Sequence, residues 1–218
     1  MRLKTFAVSA LAAAVMVGCA AQQPAEKAAA PAPAKAAKKA PVKTLSGASG
    51  AMLASTCEGC HGTAGVSQGP ATPHLAGMSE DYFSEAMEEF REDDTKSTIM
   101  GRVAKGYSDD EIAAMAAHYA NTSPQGAAQK ANPGDVAKGK KLHDKYCEKC
   151  HSDGGANPED DSGILAGQWT PYLHYTMTDF LNGDRAISKK MKKKVEKLLA
   201  DEGRSGLNAI IAYYGSQK

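Results

Sequence analysis

The sequence predicts an all-α chain of two tandem halves with similar folds, each wrapped around a covalently attached prosthetic group. Three observations carry this: a five-residue motif that occurs twice, a register of matching residues after each copy, and apolar spacing that suits helices. The chain has 218 residues, enough for one ordinary domain or two small ones.

The motif is Cys57-Glu58-Gly59-Cys60-His61 and again Cys147-Glu148-Lys149-Cys150-His151. C-x-x-C-H is the signal for haem attachment, with two thiols to add across the vinyl groups and a histidine to bind iron. A thioredoxin-like redox pair would need βαβ surroundings, and a zinc site would need a second Cys/His pair nearby. Neither context is present. Two copies therefore predict two covalent haem c groups, held through Cys57, Cys60, Cys147 and Cys150, with His61 and His151 on the irons. Of five cysteines only Cys19 remains, so no pair is left for a disulfide.

The halves repeat in close register. Leu75-Ala76-Gly77 begins 14 residues after His61, and Leu165-Ala166-Gly167 begins 14 after His151. Tyr82 and Tyr172 both fall at 21, Met87 and Met177 at 26, Phe90 and Phe180 at 29. Chance does not account for so many landmarks at one spacing. The halves span residues 46–122 and 136–218, joined by a linker at 123–135 that holds Pro124, Gly126, Pro133 and Gly134. Domains this small bury little of their own surface. A fixed haem becomes the centre of the core, so each half is expected to fold poorly without it.

Helical spacing runs through both halves. Tyr82, Phe83, Ala86, Met87 and Phe90 fall on one face, as do Tyr172, Leu173, Thr176, Met177 and Phe180. Ser108 with Glu111 forms a capping-box signature ahead of a closing helix with Ile112, Met115, Ala116 and Tyr119 inward. Its counterpart carries Leu207, Ile210, Ile211 and Tyr214. No segment alternates with a period of two.

A thioether as sixth ligand fills the iron and suits it to electron transfer. Met100 lies 39 residues after His61 and Met191 lies 40 after His151, each just before the closing helix. These two are the expected ligands. Met87 and Met177 also repeat, but they sit on apolar stripes where methionine is ordinarily core. His74, His118, His143 and His174 have no counterparts across the repeat and are expected on the surface or in helix packing. Trp169, Tyr172, Tyr175 and Tyr82 suit either haem contact or aromatic packing.

The front of the chain reads as targeting. Arg2 and Lys4 precede an apolar run at residues 6–17, too short to span a bilayer. Met16-Val17-Gly18-Cys19 resembles a bacterial lipoprotein processing box, with Met16 where Leu is more typical; cleavage after Ala20 is the rival reading. Residues 1–18 are thus expected to be a signal peptide, and 19–45, rich in Ala, Pro and Lys, a flexible tether. Export to the periplasm follows either way, with membrane anchoring through a lipidated Cys19 in the first case.

Net charge is +1, which gives no sign of nucleic-acid binding. Its distribution is uneven. Residues 46–122 carry four Lys/Arg against twelve Asp/Glu, whereas 136–218 carry fourteen against eleven. The run Lys189-Lys190-Met191-Lys192-Lys193-Lys194 surrounds an expected ligand, either as a solvated face or as a docking patch for an acidic partner.

Three strings resemble a known family. Ser97-Thr98-Ile99-Met100-Gly101-Arg102-Val103-Ala104-Lys105-Gly106-Tyr107-Ser108 is similar to the methionine loop in the first domain of the cytochrome subunit of flavocytochrome c sulfide dehydrogenase. Lys141-Leu142-His143-Asp144-Lys145-Tyr146-Cys147-Glu148-Lys149-Cys150-His151 and Ile164-Leu165-Ala166-Gly167-Gln168-Trp169-Thr170-Pro171-Tyr172-Leu173 are similar to its second domain. The likeness covers roughly residues 50–218, and the wider group includes cytochrome c4. It implies two class I cytochrome c domains that conduct rather than catalyse. It also implies an FAD-containing sulfide dehydrogenase subunit as electron donor, with the FAD on that subunit, and a soluble cytochrome c as acceptor. A free di-haem carrier of the c4 type, feeding a terminal oxidase, and a haem enzyme with an open iron are the alternatives.

Overall fold

Helix formation begins wherever a side-chain oxygen can take a free N–H and an apolar stripe follows. The computed structural model describes residues 47–160 and 162–218, all within one compact unit spanning 40–218. The expected signal peptide, Cys19 and tether lie outside the described residues. Ser49 accepts the Met52 N–H and starts α1 (Gly50–Ala54), and α2 (Glu58–His61) carries the end of the first motif. Ser79 accepts the Tyr82 N–H to open α3 (Glu80–Arg91), and α4 (Met100–Ala104) follows a loop. The capping box forms at α5 (Asp109–Ala120): Ser108 Oγ accepts the Glu111 N–H while Glu111 Oε2 accepts the Ser108 N–H. This satisfies free donors at both positions.

The second half repeats the order with α6 (Pro133–Tyr146), the short turn α7 (Ser152–Gly155), α8 (Thr170–Asn182) and α9 (Lys189–Ser216). Among the described residues there is no strand. Two boundaries differ from expectation. Helix α6 starts at Pro133, inside the expected linker, because Asn132 Oδ1 accepts the N–H of Gly134 and Asp135 and proline needs no acceptor at a first turn. Met100 and Met191 both lie in the first turn of a helix rather than in open loops, the latter because Ser188 Oγ caps α9 through the Met191 N–H. Helix α9 breaks once, at Gly203 (φ 64°, ψ −168°), which separates the segment carrying Met191 from the closing segment.

Each half has its own core. The first gathers Leu53, Phe83, Met87, Ile112, Met115 and Tyr119; the second gathers Leu142, Tyr146, Leu173, Leu198, Ile210 and Ile211. In both, the opening helix crosses the closing helix at a glycine. A Cβ on Gly50 would lie 2.2 Å from Ala114 O, and one on Gly139 would lie 1.9 Å from Ala209 O. Only hydrogen lets the helices approach this closely.

The repeated Leu-Ala-Gly segments have a backbone cause. Leu75 N–H donates to Gly65 O and Gly77 N–H to Tyr119 O; Leu165 N–H donates to Gly155 O and Gly167 N–H to Tyr214 O. In each half this ties the segment after the histidine to the closing helix. The two segments also meet at a seam between the halves. Gln168 Oε1 accepts the His74 N–H (2.9 Å), its Nε2 donates to His74 O (3.3 Å), and Trp169 Nε1 donates to Ser67 O (3.2 Å).

Candidate cofactor sites

The first motif is a continuous turn. Cys57 O accepts the N–H groups of Cys60 and His61, which sets both thiols and the imidazole along one short helix. Cys57 is half-buried, Cys60 exposed and His61 buried. His61 Nδ1 lies 2.9 Å from Pro73 O. A carbonyl can only accept, so Nδ1 carries the proton and Nε2 is the unprotonated nitrogen, ready for a metal. Burial lowers the His61 pKa, with the Pro73 contact opposing it, which also favours the neutral ligand form.

The second motif is built the same way, with Cys147 O accepting from Cys150 and His151. Its histidine has a different partner: His151 Nδ1 lies 2.9 Å from Ser162 Oγ. The hydroxyl accepts when Nε2 serves as the ligand. Burial pushes the Cys147 thiol up to about 11. A redox-active C-x-x-C pair depends on the opposite shift, toward thiolate. The donor sets therefore fit a covalently bound haem in each half. His61, His151 and the four thiols would hold it.

The other expected ligands fall on the same elements as their repeat. Met100 is partly buried against the first core, at the start of α4; Met191 is partly buried at the start of α9. Met87 is buried with Phe83 in the first core and Met177 packs against the second.

The four remaining histidines divide. His143 is fully buried in helix packing, with Nδ1 3.0 Å from the Tyr214 hydroxyl and Nε2 in close contact with Glu148. His118 packs edge-on against Tyr119, and His174 is exposed. His74 departs from expectation: it is buried in the seam, stacked on Trp169 with ring centroids 6.2 Å apart. Its Nδ1 accepts the Ser67 N–H at 2.9 Å. Lack of a repeat partner hid it, because a seam residue need not obey the repeat. Of the four aromatics, Trp169 lies in the seam, Tyr82 and Tyr172 gather about Arg185, and Tyr175 is exposed. Pro73, Ser162 and Arg185 were not singled out by sequence; Pro73, 12 residues after His61, carried a readable signal in its ring-restricted backbone.

Comparison with known proteins agrees with this geometry. The family model for cytochrome c matches residues 47–123. Cytochrome c4 of Pseudomonas aeruginosa is 30% identical over 178 residues, covering 76% of this chain and 86% of that protein. The chain belongs to the cytochrome c family. The cytochrome subunit of sulfide dehydrogenase from Chlorobaculum tepidum is 39% identical over 87 residues, 40% of this chain and 78% of that protein. Reduced recombinant cytochrome c4 from Pseudomonas stutzeri superimposes with a TM-score of 0.67, covering 78% of this chain and 97% of that one, at 23% identity. This cytochrome is thus an all-α, c4-like protein of two class I domains, and membership implies covalent haem c. It is an electron-transfer cytochrome related to the subunits of sulfide dehydrogenase and to cytochrome c4.

Proposed function

We propose that this cytochrome is the di-haem subunit of a sulfide:cytochrome c oxidoreductase, taking electrons from an FAD-containing sulfide dehydrogenase subunit and passing them to a soluble cytochrome c. The observation that carries the reading is the 39% identity to the cytochrome subunit of sulfide dehydrogenase. Bound haem supplies reversible one-electron exchange between ferric and ferrous iron. The chain supplies the rest. Cys57, Cys60, Cys147 and Cys150 would hold the two haems as thioethers, and His61, His151, Met100 and Met191 would supply the protein ligands to iron. With those protein ligands in place no position would be left for a substrate, and the bond chemistry would belong to the partner. Pro73 O and Ser162 Oγ orient the two imidazoles.

The exported, periplasmic form carries a lipid on Cys19, and residues 19–45 tether it near the membrane. No helix among the described residues is long and apolar enough to cross a membrane. A second reading, a free c4-type carrier, is favoured by the longer match to cytochrome c4 across both halves.

Affinity capture of the tagged cytochrome from its native membrane separates the two. The expected result is a co-purifying flavin-containing chain and sulfide-dependent reduction of added cytochrome c. Capture without flavin or sulfide activity would sink the subunit reading and leave the carrier.

A further inference from the structure

One buried imidazole has no part in the haem sites, and it faces two carboxylates. His143 lies in the last turn of α6, fully buried, with Nε2 against the Glu148 carboxylate and Nδ1 3.0 Å from the Tyr214 hydroxyl. The adjacent Asp144 is exposed, and one ligand atom from each of His143, Asp144 and Glu148 lies within 4.8 Å of the other two. Glu148, which Nε2 touches, is 44% exposed, so a cation can enter beside it from solvent. The repeat shows that this grouping is particular to the second half. At the positions 90 residues earlier stand Leu53, Ala54 and Glu58; the first two are buried and apolar, and Glu58 Oε1 accepts the Ala64 N–H instead. The tyrosines of the closing helices differ to match. Tyr119 donates to Ala54 O, whereas Tyr214 is turned to His143 and to the Cys147 sulfur.

We propose that His143 Nε2, Asp144 and Glu148 bind a divalent cation of the zinc class. Imidazole with carboxylates is a donor set for such ions, and three protein ligands leave a fourth position to water. Binding removes the proton from Nε2, and solvent returns one to Nδ1, so the imidazole stays neutral. Nδ1 then donates to the Tyr214 oxygen, and the phenol, kept protonated by burial, turns its own proton to the Cys147 sulfur. A hydroxyl suits this place because it can donate or accept, and so orients the ring with or without the cation. Lys140 holds Asp144 at 3.0 Å and competes with the cation. The inference concerns the second half alone and is independent of the sulfide partner.

The test uses the isolated holoprotein, stripped with chelator and titrated with Zn²⁺ by isothermal calorimetry. One saturable site per chain is expected. X-ray absorption at the zinc edge should show a single imidazole with oxygen ligands at about 2.0–2.2 Å. Glu148→Gln and Asp144→Asn, both near-isosteric changes of exposed side chains, should each weaken the affinity by about tenfold or more. Lys140→Ala frees Asp144 and should tighten it by about twofold, the worth of an exposed pair one helical turn apart. Any one of four results overturns the proposal: no saturable site, equal affinity in the parent and either carboxylate variant, no tightening in Lys140→Ala, or a zinc edge without imidazole.

Discussion

At the residue scale the two histidines proposed as iron ligands, His61 and His151, share an architecture but have unequal support. Pro73 presents a carbonyl that must accept, whereas Ser162 presents a rotatable hydroxyl. A hydrogen bond at Nδ1 raises imidazole basicity and stabilises ferric iron. Ser162→Ala is therefore expected to raise the midpoint of the second haem and leave the first unchanged, as read by redox titration. Methionine ligation is tested similarly. Met100→Leu and Met191→Leu should each remove about half of the weak long-wavelength thioether–iron band. Met87→Leu, a near volume-conserving change in a buried position, should keep the band and cost less than about 1.5 kcal/mol. Loss of the band in the Met87 variant would overturn the ligand assignment.

His74 adds a pH dependence. Burial holds its pKa below the ordinary value of about 6.5, and its Nδ1 must stay bare to accept the Ser67 N–H. Above that value both folded and unfolded chains carry neutral His74, and its contribution is fully present. As pH falls through it, the unfolded chain takes up the proton first, so stability drops by at most about 1.4 kcal/mol per pH unit until the folded value is reached. Thermal unfolding of the holoprotein between pH 5 and 8 should show a shallower acid slope for His74→Gln than for the parent. Equal slopes would mean that His74 protonates freely in the fold.

At the element scale, much of the fold was legible because helices announce themselves through local chemistry. The Ser108–Glu111 box and the Phe83/Met87 stripe are written in neighbouring residues, and the structure forms both. The start of α6 was misplaced because Pro133 and Gly134 read as linker residues, while the Asn132 cap turns the same residues into a first turn. The helix crossings were invisible, since a glycine in a helix carries no sign of what approaches it. Gly139 shows the consequence. A methyl group there would meet Ala209 O at 1.9 Å and Tyr213 Cβ at 2.8 Å, both fixed by α9, so the helices must separate. Gly139→Ala is expected to cost about 1–3 kcal/mol despite alanine's better helix propensity. Chemical denaturation of the holoprotein checks the sign: stabilisation would mean the crossing is looser than this packing.

At the scale of the whole molecule, the motifs and the repeat made the two C-x-x-C-H turns and the matching halves readable, whereas the seam was not. Gln168, Trp169, His74 and Arg185 act between halves, where the pattern of each half gives no constraint. The same asymmetry extends to the outer surface. Beside Met100 the exposed side chains include apolar Ile99, at 54%, and Val103, at 36% exposure, together with Ser97, Thr98 and the single cation Arg102. Beside Met191 they are Lys190, Lys192, Lys193 and Lys194, all exposed. Exposed apolar side chains suit a lasting subunit contact, because their burial is insensitive to salt; a lysine rim suits brief, steered encounters. Under the proposed function the second half is then the expected exit for electrons, toward an acidic acceptor. Stopped-flow oxidation of the reduced cytochrome by an acidic soluble cytochrome c should be fastest at low salt and slow steeply as the screening length falls to about 10 Å near 0.1 M. Reversing Lys192, Lys193 and Lys194 to Glu should lower the low-salt rate constant by about tenfold or more and flatten its salt dependence, with the two proteins converging at high salt. A parent rate indifferent to ionic strength would remove the lysine run from docking and leave it as a solvated helix face.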